Sequence, residues 1–396
     1  MYSFLNSLAL FRRQAEAYRG RIKLLHFRDL TVPESKGRAT FFSSSCFVNQ
    51  HSTLASMSII DTTKDLAALF VAQAKSTPDA IALEDETRTL TYAELDQETE
   101  TMADYIRLHH RVGRDSLVGI LMNRSADYVI ASLAALRAGG AFLVLELAYP
   151  SSLLRDVIDD AKPAVVLTQT AHMEHIKSDV PVIAVDEPGG YAKANDFSNG
   201  TELPITTDND LDRLAFVSYS SGTTGQPKGI ANPHRAAVLS YDLRFRLSDL
   251  SPKDRVACNV FFVWEMLRPL VRGATVIAIP DRASYDPTAL VSILASRRVT
   301  DTLMTPTLLS TVLSRYPNLH QELPDLKSLW LNGEVVTTEL CRRGIKALPN
   351  TRLLNVYSAS ETHEVAAGDI RQFLDNEMRV CPVGLPMDPQ HIYILD

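Results

Sequence analysis

Short apolar runs alternate with amphipathic stretches along the chain from about residue 65 onward. Ser125 is a good N-cap for a helix through Ala138, and Gly139-Gly140 predicts the end of that helix. The apolar runs are bounded by turn residues and each predicts a buried strand, at residues 118–122, 141–145, 164–167, 182–185, 214–217, 255–260, 274–279, 302–304, 328–331 and 353–356. Strands that alternate with helices predict an α/β fold with parallel sheets covered on both faces.

A polar stretch at residues 187–210, rich in Gly, Asn, Asp and Thr, divides this pattern into two halves. The sequence therefore predicts two doubly wound parallel-sheet subdomains packed face to face, at about residues 62–205 and 206–380. Ligands of such folds bind at the carboxyl ends of the strands. Residues 1–57 are arginine-rich and then serine-rich, so they are predicted to be a poorly ordered N-terminal extension, with the native start near Met57.

The composition of the 396-residue chain excludes several classes of protein. Its formal net charge of -7 provides no electrostatic footprint for nucleic acid, and no run of about 18 apolar residues is present to span a membrane. The four cysteines are far apart and form no Cys-x-x-Cys pair. This spacing favours a reducing, cytoplasmic environment over a disulfide or metal framework.

A loop rich in glycine and hydroxyl groups follows the run at residues 214–217 and precedes a helical pattern that opens near Pro233, which predicts a strand-to-helix loop. Its glycines let the backbone approach a ligand, and its hydroxyls and exposed amides are suited to phosphate. Lys228 adds a positive charge, whereas Pro227 and Gly229 exclude the Walker A order of a P-loop kinase or NTPase. The loop predicts a nucleotide-binding site formed by Ser220, Ser221, Gly222, Thr223, Thr224, Gly225 and Lys228.

These ten residues, 220–229, closely resemble the phosphate loop of the adenylate-forming (AMP-binding) superfamily. Further motifs of that superfamily follow in the same order, at residues 90–95, 137–142, 264–266, 332–334, 355–361, 382–386 and 393–396. Among its subfamilies, the chain is most similar to nonribosomal peptide synthetase adenylation domains. The resemblance implies that residues 62–396 form the large N-terminal domain of such an enzyme, with the start of a small β-barrel at its C-terminal end.

The reaction implied by the resemblance is attack of a carboxylate on the α-phosphorus of ATP, which releases pyrophosphate and leaves an acyl adenylate. Charge accumulates on phosphoryl oxygens, so the protein must supply positive charge and positioning. By resemblance, Lys228 and Thr224 are catalytic residues at the phosphates, and Glu361 is a catalytic residue that binds Mg²⁺. The residues implied in adenine and nucleotide binding are Gly333, Glu334, Asn355, Tyr357 and Ser360.

The acyl pocket is also carried over by resemblance. Relatives that activate α-amino acids have an aspartate where Val260 stands, so an ordinary α-amino acid is disfavoured because its buried ammonium would lack a partner. Aromatic rings with one carboxylate suit a quaternary ammonium, which indicates a betaine-like acid, as in the fungal glycine betaine/carboxylic acid reductase type. An aryl acid is the alternative. The pocket positions are Val260, Phe261, Trp264, Leu303, Trp330, Asn332, Val356, Glu364 and Val365.

The chain ends before the superfamily's hinge and before its C-terminal lid with a catalytic lysine. A phosphopantetheine carrier domain, the expected partner, is likewise absent from the chain. We therefore expect slow adenylate formation by this chain alone, and a noncatalytic nucleotide-binding fragment or pseudoenzyme remains an alternative, as does an aryl or acyl acid-CoA ligase. The pairs His172/His175 and His109/His110 lack the carboxylate arrangement of a metal site.

Overall fold

The computed structural model describes residues 58–187, 210–220, 227–375 and 377–387. From Ile59 onward these residues belong to one compact unit. The predictions for residues 1–57, for Ser221 to Gly225 of the phosphate loop, and for residues 393–396 lie outside the described residues.

The described strands form a nine-stranded and a six-stranded sheet. In chain order they are β1 (Ile81–Glu84), β2 (Thr89–Thr91), β3 (Leu117–Leu121), β4 (Ala141–Val144), β5 (Val165–Thr168), β6 (Val182–Ala184), β7 (Leu214–Ser220), β8 (Lys228–Pro233), β9 (Arg255–Cys258), β10 (Thr275–Ala278), β11 (Asp301–Met304), β12 (Ser328–Leu331), β13 (Arg352–Ala359), β14 (His363–Asp369) and β15 (Leu385–Pro386).

The helices between these strands complete the α/β architecture that the sequence predicts. They are α1 (Leu66–Ser76), α2 (Tyr92–His110), α3 (Ala126–Arg137), α4 (Ser151–Ala161), α5 (His234–Leu247), α6 (Phe262–Glu265), α7 (Pro287–Ser296), α8 (Pro306–Arg315), α9 (Leu319–Glu322), α10 (Thr338–Ala347) and α11 (Ile370–Phe373), with short 3₁₀ segments at Thr170–His175 and Pro269–Arg272.

Both sheets are mostly parallel. The six-stranded sheet has the order β6-β5-β3-β4-β7-β8, in which only the pair β7 and β8 is antiparallel. The nine-stranded sheet has the order β15-β14-β13-β12-β11-β9-β10-β1-β2, with a parallel centre and antiparallel pairs at both edges. This arrangement confirms the predicted fold class of two doubly wound sheets.

The sheets cross the boundary predicted near residue 205. β7 and β8 complete the six-stranded sheet, where Phe142 of β4 pairs with Phe216 of β7. Conversely, β1 lies before residue 205 but joins the nine-stranded sheet, where its Leu83 pairs with Val276 of β10. Burial of apolar surface explains this exchange of strands between the two predicted subdomains. Leu83 and Val276 are both fully buried, and together they complete an apolar face that neither subdomain covers alone.

One core joins the two sheets. It contains residues of β3 and β4, of helices α2 and α3, and of β9 and β10. The rings of Phe142 and Phe216 stack in it with centroids 5.3 Å apart, and the buried Tyr92 hydroxyl donates to the Ala274 carbonyl at 2.8 Å. The helices α2 and α3 therefore share their apolar faces with both sheets.

The predicted helix ends have the expected caps. The Ser125 hydroxyl accepts from the amide of Tyr128 at 3.4 Å, and α3 ends at Arg137 before Gly139, whose φ is +88°. A Cβ at Gly140 would lie 2.7 Å from the Ser116 carbonyl oxygen, so this close approach requires a glycine.

Two local expectations are corrected by the structure. The phosphate loop does not lead from a strand into a helix, because Lys228–Pro233 forms β8 and pairs antiparallel with β7 before α5 begins. At the other end, β15 extends the nine-stranded sheet by pairing with β14, and the described residues contain no closed barrel. No helix in the described ranges is long and apolar enough to cross a membrane.

Candidate active site

The predicted phosphate loop connects the two strands of the β7-β8 hairpin. Ser220 ends β7 and is paired in register with Lys228, the first residue of β8. Lys228 is exposed and makes no ion pair with another residue of the described ranges. An exposed lysine ammonium at this position could contact an anion, as the sequence predicts.

The candidate nucleotide residues on the nine-stranded sheet lie where β12 ends and along β13. Asn355 is buried and donates from its side chain to the Pro382 carbonyl at 3.4 Å, whereas Tyr357 is 38% exposed. The Glu334 carboxylate accepts from the amide of Thr307 at 2.9 Å and is anchored to the first turn of α8. These contacts place Asn355, Tyr357 and Glu334 at the carboxyl ends of parallel strands, as doubly wound folds require.

Gly333 and Phe261 meet closely between the two predicted sites. Gly333 has a φ of +87°, and a Cβ there would lie 2.8 Å from Cζ of Phe261. Phe261 itself has a φ of +52°, which is uncommon for a bulky residue, and its side chain is 38% exposed. Backbone held in this region by its surroundings is typical of ligand sites.

Glu361 and Ser360 lie in the turn between β13 and β14. Glu361 is exposed, and its carboxylate makes no hydrogen bond or ion pair with another described residue. The turn is tight, because Ala359 pairs in register with His363, whose φ is +56°.

Aromatic contacts join the hairpin of the phosphate loop to this turn. The ring centroid of Phe216, on β7, lies 5.0 Å from that of Trp264 and 6.1 Å from that of His363. Burial lowers the pKa of His363, and the Glu364 carboxylate only partly opposes it. The buried ring of Phe216, on the strand that leads to the predicted phosphate loop, therefore contacts one predicted acyl-pocket residue and the first residue of β14.

The residues predicted to line the acyl pocket differ in exposure. Val260, Leu303, Trp330, Val356 and Glu364 are buried, whereas Phe261 is exposed and Trp264, Asn332 and Val365 are partly buried. Asn332 donates to the Ser358 hydroxyl at 2.8 Å, and Ser358 pairs in register with Glu364 across β13 and β14. The structure thus places Asn332 and Glu364 on one contiguous polar strip.

Trp330 does not present a free ring face as an aromatic box requires. It is fully buried, its Nε1 donates to the Asp301 carboxylate at 3.1 Å, and the Arg244 guanidinium lies 4.5 Å from its ring centroid. Arg244 already takes the cation-π contact of this ring. Phe261 and Trp264 are the described pocket aromatics that retain exposed surface.

A buried ionic cluster lies behind the pocket. The guanidinium of Arg244 forms a two-pronged ion pair with Glu265, and Arg268 donates to Asp301 at 2.8 Å and to Glu265 at 3.3 Å. Burial favours a higher pKa for Glu265, but Arg244 and then Arg268 outweigh it and lower that pKa. Burial raises the pKa of Asp301, and Arg268 offsets only part of the effect. The cluster holds the wall of the pocket in one arrangement.

Comparison with known proteins decides the family. A family model described as AMP-binding enzyme matches residues 70–396. The chain belongs to the AMP-binding enzyme family. It is 63% identical over 340 residues to glycine betaine reductase ATRR of Emericella nidulans, which covers 86% of this chain and 26% of that enzyme. It is 29% identical over 340 residues to tyrocidine synthase 3 of Brevibacillus parabrevis, covering 84% of this chain and 5% of the synthase.

Solved structures agree with this assignment. The nonribosomal peptide synthetase FmoA3 bound to α-methyl-L-serine-AMP is 26% identical with a TM-score of 0.73, covering 84% of this chain and 37% of that one. VinN, at 22% identity and a TM-score of 0.72, shows the same fold and covers 83% of this chain and 82% of its own. The AMP-binding family comprises adenylate-forming ligases that use ATP.

The AMP-binding assignment makes the metal prediction testable against the donors present. No group of three or more His, Cys, Asp or Glu residues in the described part of the chain is arranged to hold a metal ion. Mg²⁺ is usually held by one or two carboxylates together with phosphate oxygens and waters. The exposed carboxylate of Glu361 fits such a site, in which the bound ion would neutralise phosphate charge.

Sequence reasoning missed the residues behind the pocket. Ser240 and Arg244 are four residues apart on α5 and share one face of that helix, and Glu265 and Arg268 are three residues apart at and just after the end of α6. These spacings are visible in the sequence. Nothing in the sequence indicates that the two pairs meet at Trp330.

Proposed function

We propose that this chain is the adenylation portion of a longer enzyme that activates a betaine-like carboxylic acid with ATP. The observation that carries the proposal is the meeting of the β7-β8 hairpin with the β13-β14 turn around Phe216, 5.0 Å from Trp264 and 6.1 Å from His363. This contact supports an arrangement in which the predicted phosphate and metal residues lie beside the predicted acyl pocket. The 63% identity to a glycine betaine reductase supports the choice of acid.

The chemistry assigns a role to each group. A carboxylate oxygen of the acid attacks the α-phosphorus of ATP, the bond to the bridging oxygen breaks, and pyrophosphate leaves. Lys228, Thr224 and the other loop residues would hold the phosphates as charge develops. Glu361 would hold Mg²⁺, which supplies additional positive charge when bound. Tyr357 and Gly333 would flank the adenine, and Asn355 would hydrogen-bond to it.

The pocket favours a cation without N-H groups. Val260 is 1% exposed and apolar, so the position offers no acceptor to an α-ammonium. Trp264 and the exposed Phe261 offer ring surface to a quaternary ammonium, each worth about 0.5–2 kcal/mol, and Glu364 supplies a negative charge. A methylated ammonium therefore fits better than an ammonium that must donate hydrogen bonds.

The larger enzyme context is part of the same proposal. Residues 62–396 would form the large domain of the adenylating unit, following an extension at residues 1–57. A C-terminal lid and a phosphopantetheine carrier would complete the enzyme, and the carrier thiol would accept the acyl group. The chain spans 26% of the length of the similar glycine betaine reductase, which leaves room for such partners.

ATP-pyrophosphate exchange across a panel of acids tests the proposal, with calorimetry of ATP binding beside it. We expect glycine betaine to exceed benzoates and proteinogenic amino acids, and Lys228→Ala to weaken ATP binding. Lys253→Ala is the matched control, because Lys253 is another exposed lysine and lies away from the hairpin. Exchange with an aryl acid alone would refute the choice of substrate, and unchanged ATP binding by Lys228→Ala would refute the phosphate site.

A noncatalytic nucleotide-binding role is the second candidate. ATP binding without exchange for any acid would favour it. An aryl acid-CoA ligase is favoured instead if benzoates are the better substrates, since Phe261 and Trp264 offer surface to an aryl ring too.

A further inference from the structure

We propose that Ser240 and Arg244 are positioning residues that hold the Glu364 carboxylate at the acyl pocket, so that the pocket selects a cationic acid over a neutral acid of the same shape. The inference rests on the proposed function, because it concerns how the same pocket recognises its acid. It adds a source of specificity in α5, a helix outside the superfamily motifs on which the pocket prediction was built.

Two residues on one face of α5 contact the Glu364 carboxylate. The Ser240 hydroxyl donates to one carboxylate oxygen, and an Arg244 guanidinium nitrogen lies 3.9 Å from the other. Ser240 is 5% and Arg244 2% exposed, and the Glu364 side chain is 10% exposed. A buried carboxylate with a hydrogen bond at one oxygen and a guanidinium near the other has little freedom to turn away from the pocket.

Arg244 interacts with other groups besides Glu364. Its guanidinium makes a two-pronged pair with Glu265, and it also lies over the ring of Trp330 at 4.5 Å. The direct contacts with Glu265 are shorter than the 3.9 Å separation from Glu364. Arg244 therefore orients Glu364, although the positive charge of the Arg244 guanidinium interacts mainly with Glu265.

The cluster behind the pocket holds several buried charges. The carboxylates of Glu265, Asp301 and Glu364 lie among the guanidinium groups of Arg244 and Arg268. The Asp301 carboxylate accepts hydrogen bonds from Arg268 and from Trp330. Glu364 is the one carboxylate of these three that is predicted to line the acyl pocket, so its negative charge is the one that a bound cation would meet.

Neighbouring residues connect Glu364 to the positions that would contact the acid. Glu364 pairs in register with Ser358, whose hydroxyl accepts from Asn332, and Asn332 precedes the Gly333 that lies against Phe261. A quaternary ammonium placed against Phe261 and Trp264 would interact with both the ring faces and the Glu364 carboxylate. A neutral tert-butyl group of the same shape would gain only the packing.

Glycine betaine and tert-butylacetate are the matched probes, since they differ by a nitrogen cation in place of a carbon. Calorimetry with the full chain and a non-hydrolysable ATP analogue measures both dissociation constants without requiring turnover. We expect Glu364→Gln to raise the constant for glycine betaine about tenfold or more, and that for tert-butylacetate by less than about threefold, because only the first ligand loses a charge pair. Glu322→Gln, an exposed neutralisation in α9, should change neither.

The preference for glycine betaine, measured as the ratio of the dissociation constant of tert-butylacetate to that of glycine betaine, also tests the positioning residues. We expect Ser240→Ala to reduce the preference for glycine betaine by about threefold or more through loss of one charge-assisted hydrogen bond, and Ser240→Thr, which keeps the hydroxyl, to restore it. A structural role alone would weaken both ligands equally. Arg244→Lys keeps the positive charge but loses the forked guanidinium, so it should also reduce the preference for glycine betaine. If this variant does not fold, the comparison of Ser240→Ala with Ser240→Thr tests the inference.

The outcomes separate the inference from the proposed function. If both acids bind equally well and Glu364→Gln leaves the ratio unchanged, the inference is wrong while acid activation stands. If Ser240→Ala and Ser240→Thr behave alike, Ser240 is not a positioning residue. If neither acid binds and no acid supports pyrophosphate exchange, the proposed function fails and the inference with it.

Discussion

Replacement of Gly333 by alanine should change both the stability of the chain and the shape of the predicted acyl pocket. Gly333 has a φ of +87°, so any L side chain there is strained, at a cost of about 1–2 kcal/mol. The new methyl would also lie 2.8 Å from Cζ of Phe261. Phe261 is 38% exposed and its ring can turn outward, so this clash should be relieved by movement of the ring rather than of the backbone.

The expected result of Gly333→Ala is therefore a moderate loss of stability with a larger loss of acid binding. The free energy of unfolding should fall by about 1–2 kcal/mol, since the backbone strain remains and the ring contact is relieved. Acid affinity should fall several-fold, because Phe261 leaves the surface offered to the ammonium, a contact worth about 0.5–2 kcal/mol.

Urea unfolding followed by tryptophan fluorescence measures the first quantity, and calorimetry with glycine betaine measures the second. Gly113→Ala is the matched control. A Cβ at Gly113 meets nothing within 4 Å and its φ is not in the left-handed region, so its free energy of unfolding should stay within about 0.5 kcal/mol of the parent. Equal stability and equal acid affinity of the two variants would refute the reasoning about Gly333 and Phe261.

Two further predictions concern buried charges. Burial lowers the pKa of His234 to about 3, so between about pH 6.5 and pH 3 the unfolded state binds a proton that the folded state does not. The free energy of unfolding should therefore fall by several kcal/mol as the pH drops from about 6.5 to about 3. Urea titrations at a series of pH values should show a flatter pH dependence for His234→Asn. Arg268→Met should lower the free energy of unfolding by about 3–5 kcal/mol because it leaves Asp301 buried without its cation. Arg282→Met, at an ion pair with a 72% exposed arginine, should cost far less by the same measurement. A flat pH dependence, or equal losses for the two arginine variants, would contradict these assignments.

Much of the local structure follows from the sequence alone. The apolar runs, the cap at Ser125 and the glycines after α3 all act within a few residues, and the strands of the predicted runs and the helix α3 lie close to where these signals predict. The ordered motifs from residue 90 onward likewise predicted the AMP-binding family before any contact was known. Signals of this kind are short-range, so a linear reading recovers them.

The tertiary structure decided which segments share a sheet and which charges meet. β1 pairs with β10, and Leu83 and Val276 are nearly two hundred residues apart in the chain; local periodicity carries no information about such a partner. The cover of Arg244 over Trp330 and the hydrogen bond from Ser240 to Glu364 are equally non-local, the latter joining residues 124 positions apart. A periodic pattern determines that a side chain is buried, but only the packed fold determines what it is buried against.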